Sequence, residues 1–229
     1  MFLNIIENLK NTLIVDNRYE YILEGIKNTL LMSVLALLIG FIVGTFIAVI
    51  RNNYKENKKF KILNYICKIY VDIIRGTPSV LQLMIIYYVI FKNYNISGIL
   101  LGGLAFGINS SAYVSEIIRS GIESVNRGQL EAGLSIGLNY YKTFIYIIFP
   151  QGLKNSLPSL GNEFITLVKE TAIAGYIGIM DLTKASNIIS SRTYDYFMPL
   201  TVVAIIYLLI TTILTKMLNI LEKRLDIHA

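Results

Sequence analysis

An all-α integral membrane protein with about five spanning helices is the fold this sequence predicts, and three observations carry the prediction. Of its 229 residues, 54% are hydrophobic and only 16% charged, a balance outside the range of ordinary water-soluble domains. Uncharged apolar runs recur at lengths that match a bilayer, which takes roughly 20 helical residues at about 1.5 Å each. Between those runs the Lys and Arg residues collect unevenly: twelve lie in one set of loops and six in the other. Five spans with their loops use the whole chain, so no second domain is expected.

Residues Met1 to Ile14 are apolar, but Glu7 and Lys10 interrupt them and no basic leader or cleavage site is apparent. A retained interfacial helix is expected there, with a linker to residue 24. The first span is the clearest, Thr29 to Ile50, with no charge between Lys27 and Arg51. Its Gly40 and Gly44 form a GxxxG suited to close helix contact; a dimer role is one reading and ordinary membrane glycine the other.

From Ile62 to Arg75, Lys68, Asp72 and Arg75 recur at i, i+4 and i+7, so one helical face is charged and the other is Ile, Val and Tyr. Gly76, Thr77 and Pro78 then interrupt the pattern, because proline lacks an N–H and disfavours helix at the residue before it. An amphipathic segment is expected to bend there into the shorter apolar run Val80–Phe91. Asp72 and Arg75, at i and i+3, are read as mutual partners, with a bound carboxylate as the alternative for Arg75.

The third span, Gly98 to Ile118, carries Asn109, Ser110, Ser111 and Tyr113 ahead of Glu116 and Arg119, which are expected to pair at i, i+3 near the end of the helix. The fourth, Leu157 to Met180, is the most polar. It places Glu163, Thr166 and Glu170 on one face, with Asn162 and Lys169 beside them. Ionisable groups in lipid are expensive, so this face is expected to line a cavity or to be paired with neighbours. Phe197 to Leu218 is the fifth. An odd number of spans with the twelve-to-six charge bias puts the N-terminus outside and the C-terminus in the cytoplasm.

Several functions are excluded early. Cys67 is the only cysteine and His228, next to the C-terminus, the only histidine. No intramolecular disulfide, no thiolate metal cluster and no interior His base is available. The net charge of +6 does not point to nucleic acid, since the basic residues sit between apolar runs rather than on one polar face.

The longest loop on the basic side, Arg119 to Asn155, is too regular for a slack linker. Gln129 to Ile136 reads as a short helix ended by Gly137, and Tyr141 to Phe149 as a second apolar segment stopped by Pro150. Glu131, Ala132 and Gly133, then Gly137, then Pro150, resemble the "EAA" loop of permeases of ATP-binding-cassette importers. GIKNTLLMSVLALLIGFIVGTFIAVIR, RGTPSVLQLMIIYYV, NSSAYVSEIIRSGIESVNRGQLEAG and FPQGLKNSLPSLGNEFITLVKETAIAGYIGIMDLT are similar to the histidine/glutamine/arginine-type, polar-amino-acid permease family, over nearly all of Gly25 to Thr183. Two departures are visible. Gly133 stands where the family has a second Ala, and KETAI from Lys169 stands for a usual KDTSL; the glycine costs up to about 1 kcal/mol of helix stability.

The resemblance implies a type I ABC importer (MetI-like) transmembrane domain over residues 25–220, with a cytoplasmic coupling-helix loop at about 121–155 and a cytoplasmic tail at 221–229. It implies a multi-pass protein of the bacterial cell membrane, two ABC ATPase subunits, a second permease copy or a related permease, and an extracytoplasmic solute-binding protein. Lipid surrounds the chain, and amino acids, with a basic or polar one favoured, are the substrate. Coupling then falls to Gln129, Glu131, Ala132, Gly133, Gly137 and Pro150, and the substrate path to Glu163, Asn162, Thr166, Glu170, Thr77, Gln82, Asn109 and Tyr113. Glu163 would attract the α-ammonium or a cationic side chain. ATP and Mg belong to the partner ATPase: the string nearest a phosphate loop, GLNYYKT from Gly137, has Tyr141 where the second glycine belongs. No cofactor, no catalysis and no metal are expected of this chain itself. A carrier driven by an ion gradient through Glu163 and Glu170 is the alternative, and a non-transporting membrane scaffold a further one.

Overall fold

The computed structural model describes residues 2–225; His228 and the end of the expected 221–229 tail lie outside them. Ten α-helices follow one another with no strand among the described residues. They are α1 Phe2–Leu13, α2 Tyr19–Asn57, α3 Lys61–Gly76, α4 Ser79–Ile85, α5 Gly98–Glu123, α6 Arg127–Ser135, α7 Tyr140–Thr143, α8 Phe149–Glu170, α9 Leu182–Thr193 and α10 Phe197–Arg224. A π-turn, Ile86–Ile90, prolongs α4, another, Phe144–Ile148, joins α7 to α8, and 3-10 turns run over Thr171–Ile177.

Three segments, Val15–Glu56, Gly98–Glu123 and Phe197–Arg224, are long and apolar enough to cross a membrane, or four if the bent pair Lys61–Gly76 and Ser79–Ile90 counts as one. That pair bends by 109° at Thr77–Pro78, as proline chemistry anticipates. The fourth expected span, Leu157–Met180, is displaced: α8 begins eight residues earlier, at Phe149, and gives way to 3-10 geometry after Glu170. Pro150 does not stop a helix as expected. It sits in the first turn of α8, where an N–H has no intrahelical acceptor to lose, behind a π-turn that already opens the hydrogen-bond ladder.

The chain forms two compact units, one of residues 1–36, 78–107 and 165–215, the other of residues 37–77, 108–164 and 216–229. In the first, Ile22, Leu182, Ile189 and Val203 make the core. Its turn before α9 is held by α2: Asn28 Nδ2 donates to Met180 O at 2.8 Å, and the Leu182 N–H reaches Thr29 Oγ1 at 3.4 Å. Fully buried Asp181 caps α9, accepting from the Thr183 and Lys184 N–H groups at 2.7 and 3.1 Å.

In the second unit Ala48, Val114, Ile118, Ile122, Phe144, Ile148 and Leu160 form one cluster, and Ile47, Ile50, Cys67, Val71 and Ala112 another. Helix α3 buries only the narrow Cys67–Val71 edge and ties its Tyr70 hydroxyl to Ile108 O and Ser111 Oγ at 2.8 and 2.7 Å. The GxxxG of α2 serves the same unit. A side chain at Gly40 would meet Ser110 Oγ at 3.0 Å, and one at Gly44 the Ser111 carbonyl at 2.8 Å. The glycines therefore let α2 approach α5 of the same chain, which leaves no need to assign them to a dimer contact.

Candidate functional site: a polar cavity and a capped hairpin

Helices α3, α5 and α8 of the second unit enclose a cavity of about 370 Å³, whose polar wall includes Arg75, Tyr113, Glu116, Ser120, Ser159 and Glu163. Asn155, Ser156, Ser159 and Glu163 recur at helical spacing on α8, so one face of that helix supplies a row of hydrogen-bonding groups. Ser110 Oγ donates to Glu163 Oε1 at 2.7 Å. The Arg75 guanidinium lies 5.4 Å from the centre of the Tyr113 ring, a cation–π distance. Arg75 forms no ion pair with Asp72 among the described residues; it lies against Tyr113 of α5, and the expected mutual pair is corrected accordingly.

Of the expected path residues, Glu163 and Tyr113 share this cavity. Asn109 is buried in α5, whereas Asn162 and Thr77 are exposed and do not line it. Thr77 instead closes the last turn of α3 through a 2.8 Å bond from its hydroxyl to Ile73 O. Thr166, Glu170 and Gln82 belong to the first unit and are half-buried there. Glu163 is half-buried in the second unit, and Asn162 and Lys169 are exposed.

Glu116 pairs with Arg119 as expected, accepting from its Nε and Nη2 at 3.0 and 2.7 Å. Its second partner, Arg51 of α2, lies 65 positions away, beyond the reach of any local spacing rule. The lattice continues from Arg119 Nη1 to Glu123 Oε2 at 2.8 Å and from Glu123 Oε1 to Lys55 Nζ at 2.6 Å.

Beside Lys55 and Glu123, a second cavity of about 230 Å³ opens between α2, α5 and the hairpin of α6 and α7, with Arg127, Leu130, Tyr140 and Phe144 in its wall. The hairpin's shape follows from local chemistry. Asn126 Oδ1 accepts the Gly128 N–H at 2.8 Å and Asn139 Oδ1 the Lys142 N–H at 2.9 Å, capping the two helices. Helix α6 ends on Gly137 at φ +86°, with the Leu138 N–H on Gly133 O at 3.1 Å and the Gly137 N–H on Leu134 O at 3.0 Å, the paired bonds of a Schellman end. The expected weakness at Gly133 is also a fit. It is buried against Thr143, and an added methyl would collide with the Thr143 Cγ2 and lie 2.9 Å from its Oγ1.

From α2, Asn52 Nδ2 donates to the Tyr140 hydroxyl at 3.4 Å, and Lys59, in the link after α2, sits 5.4 Å over the Tyr141 ring. Burial raises the Tyr140 phenol above its usual range, and the nearby Glu56 carboxylate pushes the same way. Outward, Gln129, Glu131, Ala132, Leu134 and Ile136 are exposed, Ile136 at 76%. Pro150 is exposed as well, in the first turn of α8.

The chain is similar to known proteins. The chain is 37% identical over 212 residues to the putative glutamine transport system permease protein of Rickettsia felis, covering 91% of this chain and 94% of that one. It is 36% identical over 207 residues to the arginine transport system permease protein of Bacillus subtilis, covering 90% and 92%. A crystal structure of an amino acid ABC transporter with histidines superposes with a TM-score of 0.83 at 40% identity, over 92% of this chain and 96% of that one. An inward-facing MetNI methionine ABC transporter, at 17% identity, has the same fold with a TM-score of 0.77 over 90% and 96%. Residues 36–227 match the binding-protein-dependent transport system inner membrane component family, and the chain belongs to that family, the membrane permease subunits of ATP-binding-cassette importers.

Proposed function

We propose that the chain forms the translocation path for a basic or polar amino acid, working with separate ATPase subunits and an extracytoplasmic solute-binding protein. Two ATPase subunits bind the ATP and Mg, and a second copy of this chain, or a related permease, completes the membrane part. The chain itself needs no cofactor. The observation that carries this reading is the capped α6–α7 hairpin, whose exposed edge of Gln129, Glu131, Ala132, Leu134 and Ile136 offers a rigid, mixed polar and apolar surface to a soluble partner. Gly133 and Gly137 set the shape of that edge and Pro150 marks its far end.

On the substrate side, the reading rests on the wall that joins Glu163 to Tyr113. Glu163 puts a carboxylate in that wall, the group that charge-assisted hydrogen bonding to an ammonium calls for. Asn162, Asn109 and Thr77 of the second unit, and Thr166, Glu170 and Gln82 of the first, are assigned to the path on the sequence argument. The hairpin lies in the cytoplasm, the N-terminus outside and the C-terminus inside.

The test is uptake into vesicles by the chain reconstituted with its ATPase and solute-binding protein. Uptake of arginine, lysine or glutamine should require ATP and survive collapse of the ion gradients. Uptake that continues without ATP and stops when a proton or sodium gradient is dissipated would establish the gradient-driven carrier instead. Orientation is read by labelling Asn139→Cys in a Cys67→Ala background: a membrane-impermeant reagent applied to intact cells should leave it unmodified.

A further inference from the structure

We propose that the C-terminal turns of α2 form the link through which the polar cavity and the hairpin sense each other, with Arg51, Asn52 and Lys55 as positioning residues. The inference rests on the transport reading above and deepens it. In the cavity wall, both carboxylate oxygens of Glu116 are held by cations. One oxygen is held by Arg51 and the other by the Arg119 fork, so its carboxylate is a structural junction rather than a site for an incoming cation.

The next residue of α2 faces the other way, and Asn52 bonds the Tyr140 hydroxyl of α7. Tyr140 in turn stacks on Phe144, with centroids 6.1 Å apart and planes 12° from parallel. One turn on, Lys55 closes the lattice through Glu123 at the edge of the hairpin cavity. Two neighbouring positions of a single helix thus grip the cavity wall and the hairpin. A shift of α5 that follows the cavity must move Arg51, and Arg51 cannot move without Asn52. Helix α2 is continuous from Tyr19 to Asn57, which makes that coupling rigid rather than elastic.

The closing experiment uses the whole complex in vesicles and reads ATP hydrolysis with and without loaded solute-binding protein, alongside thermal unfolding. Arg51→Gln and Glu123→Gln should each lower the stimulated-to-basal ratio about threefold or more, the range typical of residues that carry coupling without touching a ligand. Basal hydrolysis and the unfolding midpoint should stay near wild type. The double variant should be no worse than the stronger single one, since both cut one chain of contacts, and Arg51→Lys should restore most of the ratio. An unchanged ratio in both single variants overturns the inference. So does an equal loss of basal and stimulated hydrolysis, which a merely structural lattice would give. Wild-type complex that fails to take up substrate with ATP would instead sink the transport reading itself, so the two failures are distinguishable.

Discussion

The seam between α2 and α5 and the α6–α7 hairpin both depend on a glycine with no room for a methyl group, yet they treat charge in opposite ways. Along the seam, Gly44 sits against the Ser111 carbonyl and the helix ends are closed by Arg51, Glu116, Arg119, Glu123 and Lys55, each answered by its opposite. On the hairpin, Glu131 joins no ion pair among the described residues, and Ile136 is 76% exposed. Its shape comes from two asparagine caps, a left-handed glycine and the Gly133–Thr143 contact. A surface closed on itself holds a scaffold together, and one whose form is fixed while its side chains stay unspent is suited to docking.

Substitutions at the two places test this contrast, and the largest effect is expected at the seam. Gly44→Leu would drive a side chain into the Ser111 carbonyl and Val114; neither backbone nor buried valine yields cheaply. A loss of about 3 kcal/mol is expected, read as a lowered unfolding midpoint in detergent, and an unchanged midpoint would mean the helices are not closely apposed there. Gly133→Ala comes next, at about 1–2 kcal/mol. The sharper version adds Thr143→Ser, which removes the colliding methyl and keeps the Oγ1 bond to Asn139 O at 3.1 Å. Recovery of most of the midpoint in the double variant identifies the clash; no recovery refutes it.

Gly137→Ala should cost about 1 kcal/mol, because an alanine at φ +86° is strained in the left-handed region. Protease sensitivity of residues 127–143, rising without a change in the global midpoint, is the expected signature of a hairpin that frays locally. Smallest is Lys55→Gln. Its side chain is 59% exposed, so solvent screening limits the loss to well under about 1 kcal/mol. A large destabilisation there would show that the lattice acts in stability rather than in position.

Much of the fold was legible because lipid imposes simple rules on sequence. Long uncharged runs gave α2, α5 and α10, and Pro78 gave the bend after α3. In α8 the reading slipped. Pro150 and the polar Asn155 and Ser156 look like a boundary by apolarity alone, so a span read that way starts at Leu157 and omits the Asn155–Ser156 part of the cavity wall. The i, i+4, i+8 recurrence of Asn155, Ser159 and Glu163 was the signal that would have found it. Of the site, Glu163 and Tyr113 were reachable by asking which polar groups sit at membrane depth, and the hairpin by its caps and glycines.

By itself the sequence determined the elements: which stretches are helical and apolar, where the chain turns, and which side chains are too costly to leave in lipid, since period, proline and charge act over a few residues. Only the tertiary structure decided who meets whom. Nothing local marks Arg51 as the partner of Glu116, Arg75 as a neighbour of Tyr113 rather than of Asp72, or Gly133 as the seat of Thr143. Those pairings arise when helices distant in sequence are brought side by side, where close approach and the cost of an unpaired charge select among partners that spacing alone leaves equivalent.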